Sequence, residues 1–226
     1  ERTWGVVTFG KVSLLLSALS FLFVFVNAVS TVLLPSLRGE SSERLRAMYF
    51  PLRCCLSCVL LLSFAFVWPV QEIAKWWLPA YADALDLLPL VLPVCLYECT
   101  VNLTTGTYLK VLRMEKDFLW GNSWALAVSL MLMLLFMVVW KNLPLTILSM
   151  SIALAARLWL LEYRLLGRLK ISVRPIFLTE TFVCAAYVVL CAGIGGGQGA
   201  LIYAVVVVAA VVVSWQVYLK NVLRDI

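Results

Sequence analysis

The sequence predicts an all-α polytopic membrane protein with about seven transmembrane helices, its N-terminus outside and its C-terminus cytoplasmic. Three observations carry this. Hydrophobic residues make up 64% of the 226-residue chain, charged residues 13%, and the mean hydropathy is +1.01. A soluble domain is about a quarter charged and under half apolar, so the solvent for this much apolar surface is lipid. Several apolar runs reach the ~20 residues that cross a bilayer as helix, and the alternation of an outer-membrane barrel is absent. Finally, the basic residues gather in alternate connectors.

Taken in order, segments are expected at 5–34, 53–74, 84–109, 119–140, 145–166, 176–194 and 200–219. Pro35 closes the first, Pro69 and Pro79 frame the second connector, Asn142–Pro144 forms a tight turn, and Gly193–Gly199 separates the last two. The loops 35–53, 110–118 and 164–174 and the tail hold thirteen of the eighteen Lys and Arg. These are Arg38, Arg44, Arg46, Arg53, Lys110, Arg113, Lys116, Arg164, Arg168, Lys170, Arg174, Lys220 and Arg224. Arg2, Lys11, Lys75 and Lys141 fall on the other side, and Arg157 within a span. Short loops rich in Lys and Arg stay cytoplasmic, which sets the orientation. The net charge of +6 is thus a topology signal, and no nucleic-acid partner is expected. In the external connector 68–86, Trp68, Trp76, Trp77 and Tyr81 suit a short amphipathic stretch anchored at the membrane–water interface.

Other features exclude chemistry. Histidine is absent, which removes a zinc site or a His-based triad, and no metal is expected. The seven cysteines lie in or beside apolar runs and read as small buried apolar residues, and Cys55–Cys58 lacks a thioredoxin-like context. Asn102-Leu103-Thr104 lies within a span and cannot accept a glycan, and Gly193–Gly199 lacks the Lys-Ser/Thr of a phosphate loop. Glu180, near Arg174, is expected at the cytoplasmic interface, and the stripe-free last segment is expected to be peripheral and lipid-facing. The chain begins Glu-Arg-Thr-Trp, without Met, a basic n-region or a cleavage site, so it is expected to be a piece of a longer protein without a signal peptide.

Two polar stripes lie inside the membrane segments. Ser13, Ser17, Ser20, Asn27 and Thr31 recur at helical spacing in the first. Cys95, Glu98, Asn102 and Thr105 do so in the third. Such faces serve close helix packing, or they line a hydrated cavity. Asn and Glu favour the cavity, because leaving them in lipid costs more than leaving a hydroxyl there. Lys11 lies about two turns into the first segment, where it either snorkels or faces the cavity. Arg157, about three turns into the fifth, either pairs with Glu162 or faces an anionic ligand. The candidate substrate and cavity residues are therefore Lys11, Ser17, Ser20, Asn27, Glu98, Asn102, Thr105 and Arg157.

Thr31-Val-Leu-Leu-Pro35-Ser-Leu, closing a helix before a basic loop, resembles the polysaccharide-exporting flippases of the MOP superfamily. Leu78-Pro-Ala-Tyr81-Ala-Asp-Ala84 with Leu87-Leu88-Pro-Leu90 is similar to the opening of that family's tenth helix. The stretch 106–124, GTYLKVLRMEKDFLWGNSW, is similar to the basic loop and Asn-containing start of its eleventh. The resemblance implies a C-terminal lobe over 1–170, like helices eight to twelve, with two accessory helices over 171–226. It further implies alternating-access export of a polyprenyl-pyrophosphate-linked oligosaccharide in the bacterial inner membrane, for cell-surface polysaccharide synthesis. The partners would be membrane lipid, that lipid-linked saccharide and an N-terminal lobe of the same protein. No cofactor is implied beyond a coupling ion, proton or sodium, and the chain would not be an enzyme.

Lys11 and Arg157 would compensate the pyrophosphate, while Glu98 would sense the ion. A MATE-like exporter of cationic drugs is the alternative, with Glu98 attracting the cation. A heptahelical receptor is disfavoured, since no Asp-Arg-Tyr follows the third span and no Asn-Pro-x-x-Tyr closes the seventh. A membrane-embedded transferase would have to use Glu115 and Asp117, which read more simply as solvated loop residues.

Overall fold

The computed structural model describes residues 5–136, 143–169, 175–193 and 202–209. Every element among them is helical. Four helical stretches, Ser42–Ala65, Leu88–Val111, Glu115–Leu135 and Pro144–Leu169, are long and apolar enough to cross a membrane, and Leu178–Leu190 is a shorter apolar helix. In lipid, only structures that satisfy their own backbone hydrogen bonds can span, and helices do so within one segment. The described residues are all helical, and their long apolar helices make the chain an integral membrane protein.

Helix α1 (Gly5–Arg38) runs 34 residues. It turns an apolar face inward: Leu15, Leu19 and Leu37 are buried, with Phe23, Val26 and Leu33 packed beside them. Helix α2 (Ser42–Ala65) starts eleven residues before the expected boundary at 53. The Ser41 hydroxyl accepts a hydrogen bond from the Arg44 backbone N–H at 3.4 Å, and Glu43 sits in the first turn, where the helix dipole favours an anion. Arg53 is therefore an interior residue of α2 and not part of a loop.

The expected external connector folds as α3 (Val67–Trp77), a single 3₁₀ turn at Pro79–Tyr81 and α4 (Ala82–Leu85). Trp76 and Trp77 are exposed, as interface anchors should be. Trp68 is not an anchor: it is buried, stacked edge-on against Tyr187 with centroids 5.5 Å apart. Asp86 accepts from Gln71 Nε2 at 3.0 Å and lies 2.8 Å from Lys75 Nζ. That hydrogen bond holds the Lys75 ammonium above its ordinary pKa.

The third segment is one continuous stretch with a break in it. Helix α5 (Leu88–Thr100) passes into a π-helical turn at Val101–Thr105 and continues as α6 (Gly106–Val111). Helix α6 ends in a Schellman arrangement: Met114 N donates to Leu109 O at 2.8 Å and Arg113 N to Lys110 O at 3.2 Å. Arg113 takes the left-handed position usually given to glycine, with φ 55°.

Helix α7 (Glu115–Leu135) follows at once and buries only Gly121 and Ala125. Their small side chains let α8 (Leu143–Leu169) approach closely: a Cβ on Gly121 would stand 3.0 Å from Leu161 Cγ. In lipid this is how helices associate, through van der Waals fit at small residues. Helix α8 also lies along α5, while α9 (Pro175–Gly193) packs on α5 and α2. The α7–α8 connector and the 194–200 linker fall outside the described residues.

One core runs from Leu37 to Val207. Residues 202–209 form a helix whose Tyr203 and Val207 are fully enclosed, and Tyr203 OH donates to Leu61 O at 3.1 Å. The described part of the last segment thus packs one face on the core through Tyr203 and Val207, while Ile202, Val205 and Val208 stay exposed, as expected of a peripheral helix. Its one aromatic residue, Tyr203, joins an aromatic cluster with Phe64, Trp68 and Tyr187.

Candidate functional site

The π-turn is the local break around which the interior polar groups collect. A π-turn hydrogen-bonds one residue further along than an α-helix, and such turns are frequent at functional sites. Here the Asn102 carbonyl accepts from the Thr107 hydroxyl at 2.9 Å and from the Ser30 hydroxyl of α1 at 3.1 Å. Gly106 makes the turn possible, since a Cβ there would stand 2.7 Å from the Val101 carbonyl oxygen.

One turn earlier, Glu98 meets Arg157 of α8. Arg157 Nη1 donates to Glu98 Oε2 at 2.7 Å and its Nε donates to Asn122 Oδ1 of α7 at 2.8 Å. Asn102 Nδ2 donates to the other carboxylate oxygen at 3.2 Å. Four side chains from α5, the π-turn, α7 and α8 thereby form one network. The pair is part-buried, with 25% of the Glu98 side chain and 11% of that of Arg157 accessible. Arg157 Nη2 has no hydrogen-bond partner among the described residues, which leaves donors for an anionic group.

A second charged cluster lies deeper. Arg53 is fully buried, and Glu162 and Glu180 are only 4% and 2% exposed. Arg53 Nε donates to Glu162 Oε1 at 3.2 Å and Nη1 to Glu180 Oε1 at 3.1 Å, while Nη2 lies against Glu180 Oε2. Tyr49 OH donates to Glu162 Oε1 at 3.0 Å, and Ser57 completes the ring of contacts. A charge this far from solvent is tolerated only when paired and hydrogen-bonded, and every carboxylate oxygen here has a donor. The cluster ties α2, α8 and α9 together.

The structure brings Glu98, Asn102 and Arg157 into one site. Thr105 lies in the same π-turn, fully buried beside Tyr49. The pairing of Arg157 with Glu162 is not made: Glu162 belongs to Arg53, and Arg157 to Glu98. Glu180 is buried on α9 and pairs with Arg53. Ser17, Ser20 and Asn27 do not join Glu98. They lie with Ser13 and Thr31 on the outward face of α1, where Ser17, Ser20 and Thr31 donate back to their own helix's carbonyls at 2.7–2.9 Å. Lys11 is part of α1, and its side chain lies outside the described residues.

Ser30, Thr107 and Asn122 join these contacts in addition to the residues that the polar stripes mark. Ser30 sits on α1's apolar face, between Val26 and Leu33, where a lone hydroxyl is a readable signal of a partner on the next helix. Asn122 stands beside the small residue that marks the α7–α8 contact.

No protein-family model, no curated protein and no solved structure matches the chain.

Proposed function

We propose that the chain is part of a bacterial inner-membrane transporter that moves a polyprenyl-pyrophosphate-linked oligosaccharide by alternating access, together with an N-terminal lobe. One observation carries the reading: a part-exposed Glu98–Arg157 pair, within two apolar membrane-length helices, whose arginine Nη2 has no partner among the described residues. Ionisable groups at such positions mark substrate or ion pathways. Arg157 supplies a delocalised cation for the pyrophosphate, with a planar array of donors suited to phosphate oxygens. Glu98 balances Arg157 when no substrate is present and takes the coupling proton or sodium when substrate draws the guanidinium away. The ion drives transport only to the extent that it binds the two lobe states with different affinity.

The outward polar face of α1 adds support, because Ser13, Ser17, Ser20, Asn27 and Thr31 stand where a second lobe would complete a hydrated cavity. Capture of Glu98 by Arg157 weighs against direct attraction of a cationic drug.

The test is Glu98→Gln in the full-length transporter, reconstituted in proteoliposomes with a lipid-linked oligosaccharide. Transport is expected to fall about ten-fold or more and to lose its dependence on the ion gradient, with the yield of folded protein unchanged. Transport at the wild-type rate, still responsive to the gradient, removes Glu98 from the mechanism.

A further inference from the structure

At the end of the bundle where α6 stops, α7 starts and α8 finishes lies an open cavity of about 780 Å³, whose lining includes Arg113, Glu115, Lys116, Asp117, Arg164 and Arg168. Charge is unevenly used there. Asp117 and Arg164 form an ion pair, and the Arg164 guanidinium lies over the Trp120 ring, 5.2 Å from its centroid. Arg113, Lys116 and Arg168 are exposed and have no ion pair among the described residues, and Glu115 is the one remaining carboxylate in the lining. Among the described residues, three unpaired cations therefore line the cavity beside one unpaired carboxylate.

The fold determines what such a cavity meets. Three membrane-length helices terminate around it: Leu88–Val111, Glu115–Leu135 and Pro144–Leu169. The level at which several spans end together is the headgroup layer of the bilayer. Trp120, exposed on α7 and stacked under Arg164, gives the amphipathic aromatic that the same layer favours. Lys110 adds a similar contact over the Phe118 ring, at 5.5 Å. The tight α6–α7 turn, held by the left-handed Arg113, keeps the Arg113 and Lys116 backbones close together at the cavity wall.

We propose that this cavity is a binding site for the headgroup of an anionic phospholipid, with Arg113, Lys116 and Arg168 taking the phosphate and Arg164 held in place by Asp117 and Trp120. The site is distinct from the Glu98–Arg157 network and does not depend on transport.

The experiment measures retention of phosphatidylglycerol by the purified protein, using native mass spectrometry and quenching of tryptophan fluorescence by headgroup-proximal brominated phosphatidylglycerol. Wild type is compared with Arg113→Gln/Lys116→Gln/Arg168→Gln and with a control, Arg38→Gln/Arg44→Gln, which removes exposed positive charge elsewhere. Each cavity charge removed is expected to weaken binding about five-fold, so the triple variant loses about a hundred-fold, with the control near wild type. Phosphatidylcholine is expected to bind weakly and to ignore the substitutions. Equal loss in the control, or unchanged binding by the triple variant, overturns the site. Displacement of the lipid by millimolar inorganic phosphate overturns the lipid assignment in favour of a soluble anion. All three cavity side chains are exposed, so the variants are expected to fold, and an unchanged thermal unfolding profile confirms it.

Discussion

Arg53 shows how far a single side chain can depend on its partners. Removing one member of a buried ion cluster leaves the others uncompensated, and such losses run to about 3–5 kcal/mol. Arg53→Met is accordingly expected to destabilise the folded protein by about that amount in detergent micelles, measured by thermal or denaturant unfolding. Adding Glu162→Gln and Glu180→Gln to Arg53→Met should restore most of the loss, because a neutral cluster leaves no orphaned charge. If the triple variant stays as unstable as the single one, packing and not charge explains the effect. Little of this was readable beforehand. Arg53 lies where the apolar run of the second span begins, so by position it counts with the loop cations. The signal that identifies it is the Tyr49, Arg53, Ser57 spacing of four, which puts three polar groups on one face of a helix. Glu98, Asn102 and Arg157 were legible because a charge or amide deep in an apolar run has few reasons to be there. Their pairing was not, since it depends on how α5, α7 and α8 are rotated about their own axes.

At the level of elements, the π-turn is the feature that sequence periodicity hides. A stripe at steps of three and four looks the same whether the helix is regular or carries one widened turn. The turn rests on Gly106, whose missing side chain leaves room for the Val101 carbonyl and the Phe118 ring. Gly106→Ala is expected to destabilise the protein by about 1–3 kcal/mol, because the obstructing atom is backbone and cannot rotate away. Lower thermal stability together with reduced transport would bear this out, and an unchanged melting profile would show that the turn has slack. The helices themselves were largely legible from hydropathy and their prolines. The early start of α2 was not, because residues 42–52 are too polar to extend an apolar run and are held as helix by the Ser41 cap and by contacts of Leu45 and Tyr49 with the core.

Taken whole, the molecule draws its interior from nearly the full length of the chain, and the Arg53 cluster is the clearest case. Glu162 is 109 residues downstream of Arg53 and Glu180 is 127. At about 5–20 residues per second, synthesis needs on the order of 5–20 seconds to deliver the first of these carboxylates. During that interval α2 carries a cation for which its partner does not yet exist, and an arginine near a helix centre opposes insertion by about 2.5–3.5 kcal/mol. A chain stopped after residue 150 never receives either partner. In a pulse-chase measurement it should be degraded faster than the same truncation carrying Arg53→Leu, and equal half-lives would show that the cell does not sense the unpaired charge. On this expectation the buried cluster would act as a checkpoint in time: α2 enters the membrane early, and its place among the other helices is settled once α8 and α9 have been made.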